Sequence, residues 1–112
     1  MKWLTLELVK AQVRITHDRE NELLEHYAEL AEERVLTDIE RTYEELIAWK
    51  GEVPRELIQA SLLLVEVYYN YRSGLNISTL SIVPYGSYDV LVMPYKRLAY
   101  QKYYDEVSRL YQ

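Results

Sequence analysis

Apolar residues recur at Leu23, Leu24, Tyr27, Leu30, Ala31, Val35 and Ile39, in steps of three and four, with glutamates and arginines between them. That spacing predicts one long amphipathic helix over residues 19–41, with Asp18 as its N-cap and Glu20 and Glu22 in its first turn. About three heptads is short for a coiled coil, so packing inside one domain is expected. Upstream, Leu6, Val9 and Val13 trace a shorter stripe that Thr5 can cap. Downstream, Thr42-Tyr-Glu-Glu45 reads as a capping box, opening a brief helix through Leu46 and Ile47 that Gly51 stops. Val53-Pro54 then starts another helix, since proline is favoured at the first helical position. Its residues Leu57, Ile58, Ser61, Leu62, Leu64, Val65, Tyr68 and Tyr69 leave almost no polar side, which predicts the central, most enclosed element, ended by Arg72-Ser73-Gly74.

Beyond Gly74 the pattern supports two structures. STLSIV and SYDVLVM are rich in β-branched and aromatic residues around a PYGS turn, and local propensity favours a β-hairpin. The other reading is an extended arm to Pro84, a turn at Tyr85-Gly86, and a helical turn capped by Ser87 and broken before Pro94. The tail returns to helical spacing with Tyr100, Tyr103, Tyr104, Val107, Leu110 and Tyr111. The expected fold class is all-α: a small helical domain of four to five helices, an extended or hairpin-like segment near residues 75–86, and a C-terminal helical tail. The expected organisation is a domain over residues 1–98 and an extension over 99–112. A chain of 112 residues can bury one core with little to spare.

Charge sharpens this picture. Residues 18–56 hold 13 acidic and 5 basic side chains, a net of −8, against +2 for residues 1–17 and +1 for residues 57–112. An acidic middle argues against nonspecific wrapping of nucleic acid, which needs cations on the phosphates. Cysteine is absent, which removes disulfides, thiol nucleophiles and thiolate metal sites and suits a reducing compartment. No apolar run approaches the roughly 20 residues of a membrane span, and MKWLTLELVK lacks a signal-peptide pattern, so a soluble protein with no membrane partner is expected.

The residues offer little chemistry. Glu22, Glu25, His26 and Glu29 share one helical side, but a carboxylate-bridged metal centre needs glutamates from several helices and Glu-x-x-His steps on two of them. Here the step is Glu22-x-x-x-His26, and the other histidine, His17, precedes the helix. No serine lies in a nucleophile elbow, and three glycines form neither a P-loop nor a dinucleotide motif. The expectation is a protein without catalytic residues, cofactor or metal.

Twelve tyrosines without a phenylalanine point elsewhere. Tyrosine joins a large apolar ring to a hydroxyl that tolerates water, which suits surfaces buried only on assembly. Tyr27, Tyr43 and Tyr68 fit the edge of the core. Tyr100, Tyr103, Tyr104 and Tyr111 crowd a terminal helix that a small core can hardly cover, beside Lys96, Arg97 and Lys102. Those cations can pair with the acidic middle of another copy, a head-to-tail contact that closes into a ring when the rotation permits.

In order along the chain, LVKAQVRI, THDRENELL, GEVPRELIQASLLLVEVYYNYR and VPYGSYDVLVMPYKRL resemble the head–tail connector family of tailed phages, over roughly residues 4–98. The resemblance implies a mainly helical structural protein, not an enzyme, that forms rings coaxial with the portal, prolongs the DNA channel and presents a platform to the next head-completion or tail protein. It implies a place in the virion at the head–tail junction, after assembly in the bacterial host cytoplasm, with transient, sequence-independent proximity to DNA. It also implies helix over residues 87–93. The usual closing motif has proline, tyrosine and arginine in succession, whereas Lys96 intervenes here before Arg97. Candidate interface residues are Tyr85, Tyr88, Tyr95, Lys96, Arg97, Tyr100, Tyr103, Tyr104, Leu110 and Tyr111, with residues 99–112 as a portal-gripping segment. Glu29, Glu32 and Glu33 are candidates for an acidic face that either lines the channel and repels DNA phosphates or only solubilises the exterior. The competing reading is a generic helical adaptor or regulator of bacterial origin that binds one protein through the same tyrosines.

Overall fold

Thr5 opens the first helix as its position predicts: its hydroxyl accepts the Leu8 N–H at 3.2 Å, and α1 runs Leu6–Val13. The computed structural model describes residues 1–71 and 85–97, the side chains of Tyr85 and Gly86 excepted. Among these residues there are five α-helices, one 3-10 turn and no strand. α2 spans Asn21–Ile39, α3 Tyr43–Lys50, α4 Arg55–Asn70 and α5 Tyr85–Val92, with the 3-10 turn at Met93–Tyr95. The expected all-α class holds. The expected extended or hairpin-like stretch near residues 75–86 lies, up to residue 84, outside the described residues, as does the tail over 99–112.

The capping box at Thr42 forms in both directions, the Glu45 N–H reaching the Thr42 hydroxyl at 3.1 Å and the Thr42 N–H reaching Glu45 Oε1 at 3.3 Å. Gly51 ends α3 at φ 81°, a left-handed conformation that glycine adopts without penalty. A Cβ built there would meet nothing within 4 Å. Gly51→Ala is therefore expected to cost about 1 kcal/mol from backbone strain alone, read as a lower urea midpoint at unchanged m-value.

Two helix starts differ from expectation. Asp18 does not cap α2: the helix begins at Asn21 with Glu20 in the cap position and no side-chain cap bond. The Asp18 carboxylate instead pairs with Lys10 Nζ at 2.6 Å, and that ammonium holds its carboxyl below the usual range. An ion pair joining the end of α1 to the inter-helix turn has replaced the local cap. Pro54 likewise sits at the N-cap of α4, one residue before the first helical position.

α4 is the central helix, packed against α1, α2 and α5. Its Leu57, Ala60, Leu64 and Val65 meet Leu24, Ala28, Ala31, Val35 and Ile39 in one core cluster, which Leu4, Val9 and Leu46 close from the remaining sides. Polar side chains tie the layers together. Gln12 donates to Glu66 at 2.8 Å and the Tyr69 hydroxyl donates to Glu20 at 2.5 Å.

Local propensity, which favours a hairpin strand over residues 87–93, fails there. The segment is helix, as the family resemblance implies, and packing explains why. In a helix Tyr88, Leu91 and Val92 fall on one side, and Tyr88 and Val92 are buried while Val90 is 71% exposed. A strand would put Val90 on the face of Tyr88 and Val92. Contact with α4 and α2 overrides a β-propensity that mostly measures how side chains pack.

A further correction concerns Glu32, expected with Glu29 and Glu33 on an acidic face turned to the channel or to the exterior. It is 3% exposed. Its carboxylate accepts the backbone N–H groups of Lys2 (2.8 and 2.9 Å), Trp3 (2.7 Å) and Leu4 (2.8 Å), so it caps the otherwise unpaired start of the chain. The Trp3 indole N–H continues the attachment to the buried Ser61 hydroxyl at 3.0 Å, and Ser61 donates onward to the Ile58 carbonyl at 2.8 Å. A buried carboxylate is tolerated because its oxygens are filled by donors.

Candidate assembly interface

Aromatic and charged side chains converge where α3 ends, α4 begins and the 3-10 turn leaves α5. Trp49, 45% exposed, meets Tyr95 edge-on with ring centroids 6.0 Å apart. The Arg41 guanidinium and the Lys50 ammonium each stand 4.2 Å from the Trp49 ring centroid, and Lys50 also lies 5.6 Å from Tyr95. Cations at these distances are attracted by the ring quadrupole. The Tyr95 hydroxyl donates to Glu56 at 2.8 Å. Its own backbone N–H at the start of α4, together with that hydroxyl, holds the Glu56 carboxyl below its usual range.

Two bonds to backbone carbonyls fix the turn against the α2–α3 connection. The Arg41 side chain donates to the Tyr95 carbonyl at 3.1 Å, and the Arg97 N–H donates to the Ile39 carbonyl at 3.0 Å. The Arg97 guanidinium pairs with Glu45. Burial raises the Glu45 carboxyl, but the Thr42 N–H and Arg97 outweigh it and hold it below its usual range. Beside this knot, Met93 is 61% exposed, and Gln59, Leu63, Ser87, Val90 and Leu91 line a shallow, largely apolar groove between α4 and α5.

The sequence-derived candidates divide accordingly. Tyr95, Lys96 and Arg97 come together in the knot, all partly exposed. Tyr88 does not: it lies in the core at 5% exposure with its hydroxyl on Asp38 at 2.5 Å, and burial with that bond pushes its hydroxyl well above the usual tyrosine range. Tyr85 begins α5, but its side chain is outside the described residues, as are Tyr100, Tyr103, Tyr104, Leu110 and Tyr111. Trp49 was not among the candidates. Its signal was a tryptophan off the Leu46–Ile47 side of a short helix, next to a lysine.

The acidic face keeps Glu29 and Glu33 and loses Glu32. Glu22, Glu25, Glu29 and Glu33 are exposed and follow one another at helical spacing along α2. Glu29 lies 3.7 Å from the N-terminal ammonium; the other three form no ion pair among the described residues. Among the described residues no group of three or more His, Asp or Glu side chains is placed to hold a metal ion, and no helix is long and apolar enough to cross a membrane. The arrangement supplies contact surface: rings, stacked cations and exposed aliphatic side chains.

A family model described as phage gp6-like head-tail connector protein matches residues 4–91. Neither a curated protein nor a solved structure matches the chain. The matched span takes in α1 to α4 and most of α5, and ends before Pro94, Tyr95, Lys96 and Arg97.

Proposed function

Because this chain belongs to the phage gp6-like head-tail connector family, we propose that it docks on the portal ring of the phage head, self-associates around the same axis, prolongs the DNA channel and presents a platform to the next head-completion or tail protein. The family match over residues 4–91 carries this reading. The exposed Trp49, Val90 and Met93 support it, because a subunit that leaves such side chains open has surface to share with other chains. The pinned 3-10 turn supports it too, since a contact surface held rigid in advance loses little free energy to ordering when the partner arrives. A portal supplies many equivalent positions at once, so weak individual contacts add into stable docking. Residues 99–112 follow the pinned turn and would grip the portal.

The test is electron microscopy of the protein mixed with its cognate portal. Added density coaxial with the portal, one copy per contact position, is the expected result. A protein that remains a free monomer or dimer beside an undecorated portal would overturn the reading in favour of a single-partner adaptor.

A further inference from the structure

Two exposed clusters of opposite charge stand on separate parts of the subunit. Lys50, Arg55 and Lys96 surround Tyr95 and Glu56 and form no ion pair among the described residues, with Glu52 the free carboxylate in the adjoining turn. Glu22, Glu25 and Glu33, equally unpaired, line the other part of α2, and Leu30 is exposed beside them. Glu22 and Ile39, whose carbonyl holds the Arg97 N–H, are about 25 Å apart along the helix. Glu33, the nearest of the three carboxylates, is about 9 Å from Ile39 along the helix, and among the described residues no ion pair joins the two sets within one copy.

We infer that the Trp49 knot of one copy receives the α2 acidic stripe of a second copy. This contact rests on the connector reading and specifies which surfaces meet in its self-association. Discrete carboxylates along a helix can interleave with Lys50, Arg55 and Lys96, while Leu30 offers Trp49 an apolar partner. Trp, Tyr and Arg at the centre are the residue types that anchor protein interfaces. Nucleic acid fits less well: a continuous line of phosphates would have to pass Glu45, Glu52 and Glu56, which stand among the cations, on a chain of net charge −5. Because the two surfaces differ, the contact is head-to-tail and propagates from copy to copy, closing into a ring when the rotation allows.

The chain contains no cysteine, so every cross-link comes from an engineered position. A chain carrying both Lys50→Cys and Glu33→Cys, oxidised at high protein concentration, is expected to give a ladder of trimers and larger species. Each single variant should stay uncross-linked by itself, and the two single variants mixed should give dimers and nothing larger. High salt or an added Glu29→Lys should weaken the ladder at least several-fold without moving the melting temperature, since exposed ion pairs are screened and contribute little to folding. Dimers alone from the double variant, or no cross-linking, would overturn the inference. So would retention of a random-sequence DNA duplex that Lys50→Glu abolishes, which would give the knot to nucleic acid. Portal docking is measured on the same proteins: docking without a ladder removes this contact and leaves the connector reading, whereas a ladder without docking does the reverse.

Discussion

Glu32→Ala is expected to destabilise the protein by roughly 3 kcal/mol, an unusually large effect for a glutamate on a helix. The carboxylate binds three consecutive backbone N–H groups, and bonds to a charged acceptor contribute about 1.5–3 kcal/mol each when the partners cannot escape to water. Here they can escape, because the chain start can peel away. The loss is then bounded by what that segment buries: about 2–3 kcal/mol for the fully enclosed Leu4, plus part of the Trp3 ring. Glu32→Gln should fall between, since an amide offers one accepting oxygen and turns its own donors toward the backbone. Chemical denaturation gives the stability and hydrogen exchange at the amides of residues 2–4 gives the mechanism. Amides still protected in the alanine variant, with a loss below about 1 kcal/mol, would show that the chain start is held by packing alone.

Tyr88 should behave as a core residue and not as an assembly residue. Tyr88→Ala removes a buried ring between α4, α2 and α5 and is expected to cost about 3–5 kcal/mol. Tyr88→Phe keeps the ring and leaves Asp38 to Arg34 at 3.1 Å, for about 1 kcal/mol. The hydroxyl adds a pH dependence of definite sign. Its folded value lies above the ordinary 10.0, so its contribution is complete below pH 10.0 and is lost as the unfolded chain ionises above it. Denaturation midpoints should therefore fall more steeply above pH 10.0 in the wild type than in Tyr88→Phe. Trp49→Ala supplies the contrast, with a stability loss under about 1 kcal/mol and cross-linked assembly abolished. If Tyr88→Ala folds normally and fails only in assembly, the packing described for α5 is wrong.

Much of the helical order was legible because each signal is local. The Thr5 cap, the Thr42 capping box and Gly51 act within four residues, and the α2 and α4 stripes need only a helical period. What escaped depended on partners distant in sequence. Asp18 looks like a cap until Lys10 takes its carboxylate. Residues 85–92 look like a strand until α4 buries one side of them. Glu32 did leave a trace: it stands four residues after Ala28 and three before Val35, at core spacing, so a carboxylate there required buried donors. Nothing nearby could reveal that those donors were the amides of residues 2–4. In the candidate interface, Tyr95, Lys96 and Arg97 adjoin one another in the sequence, whereas Trp49 meets Arg41 and Tyr95, which lie 8 and 46 residues away.

The bonds from Arg41 to the Tyr95 carbonyl and from Arg97 to the Ile39 carbonyl also bear on whatever follows residue 97. They rivet the point of departure of the last stretch to the bend between α2 and α3. Copies arranged around a common axis would all release that stretch from one height and one radius, like the tines of a crown.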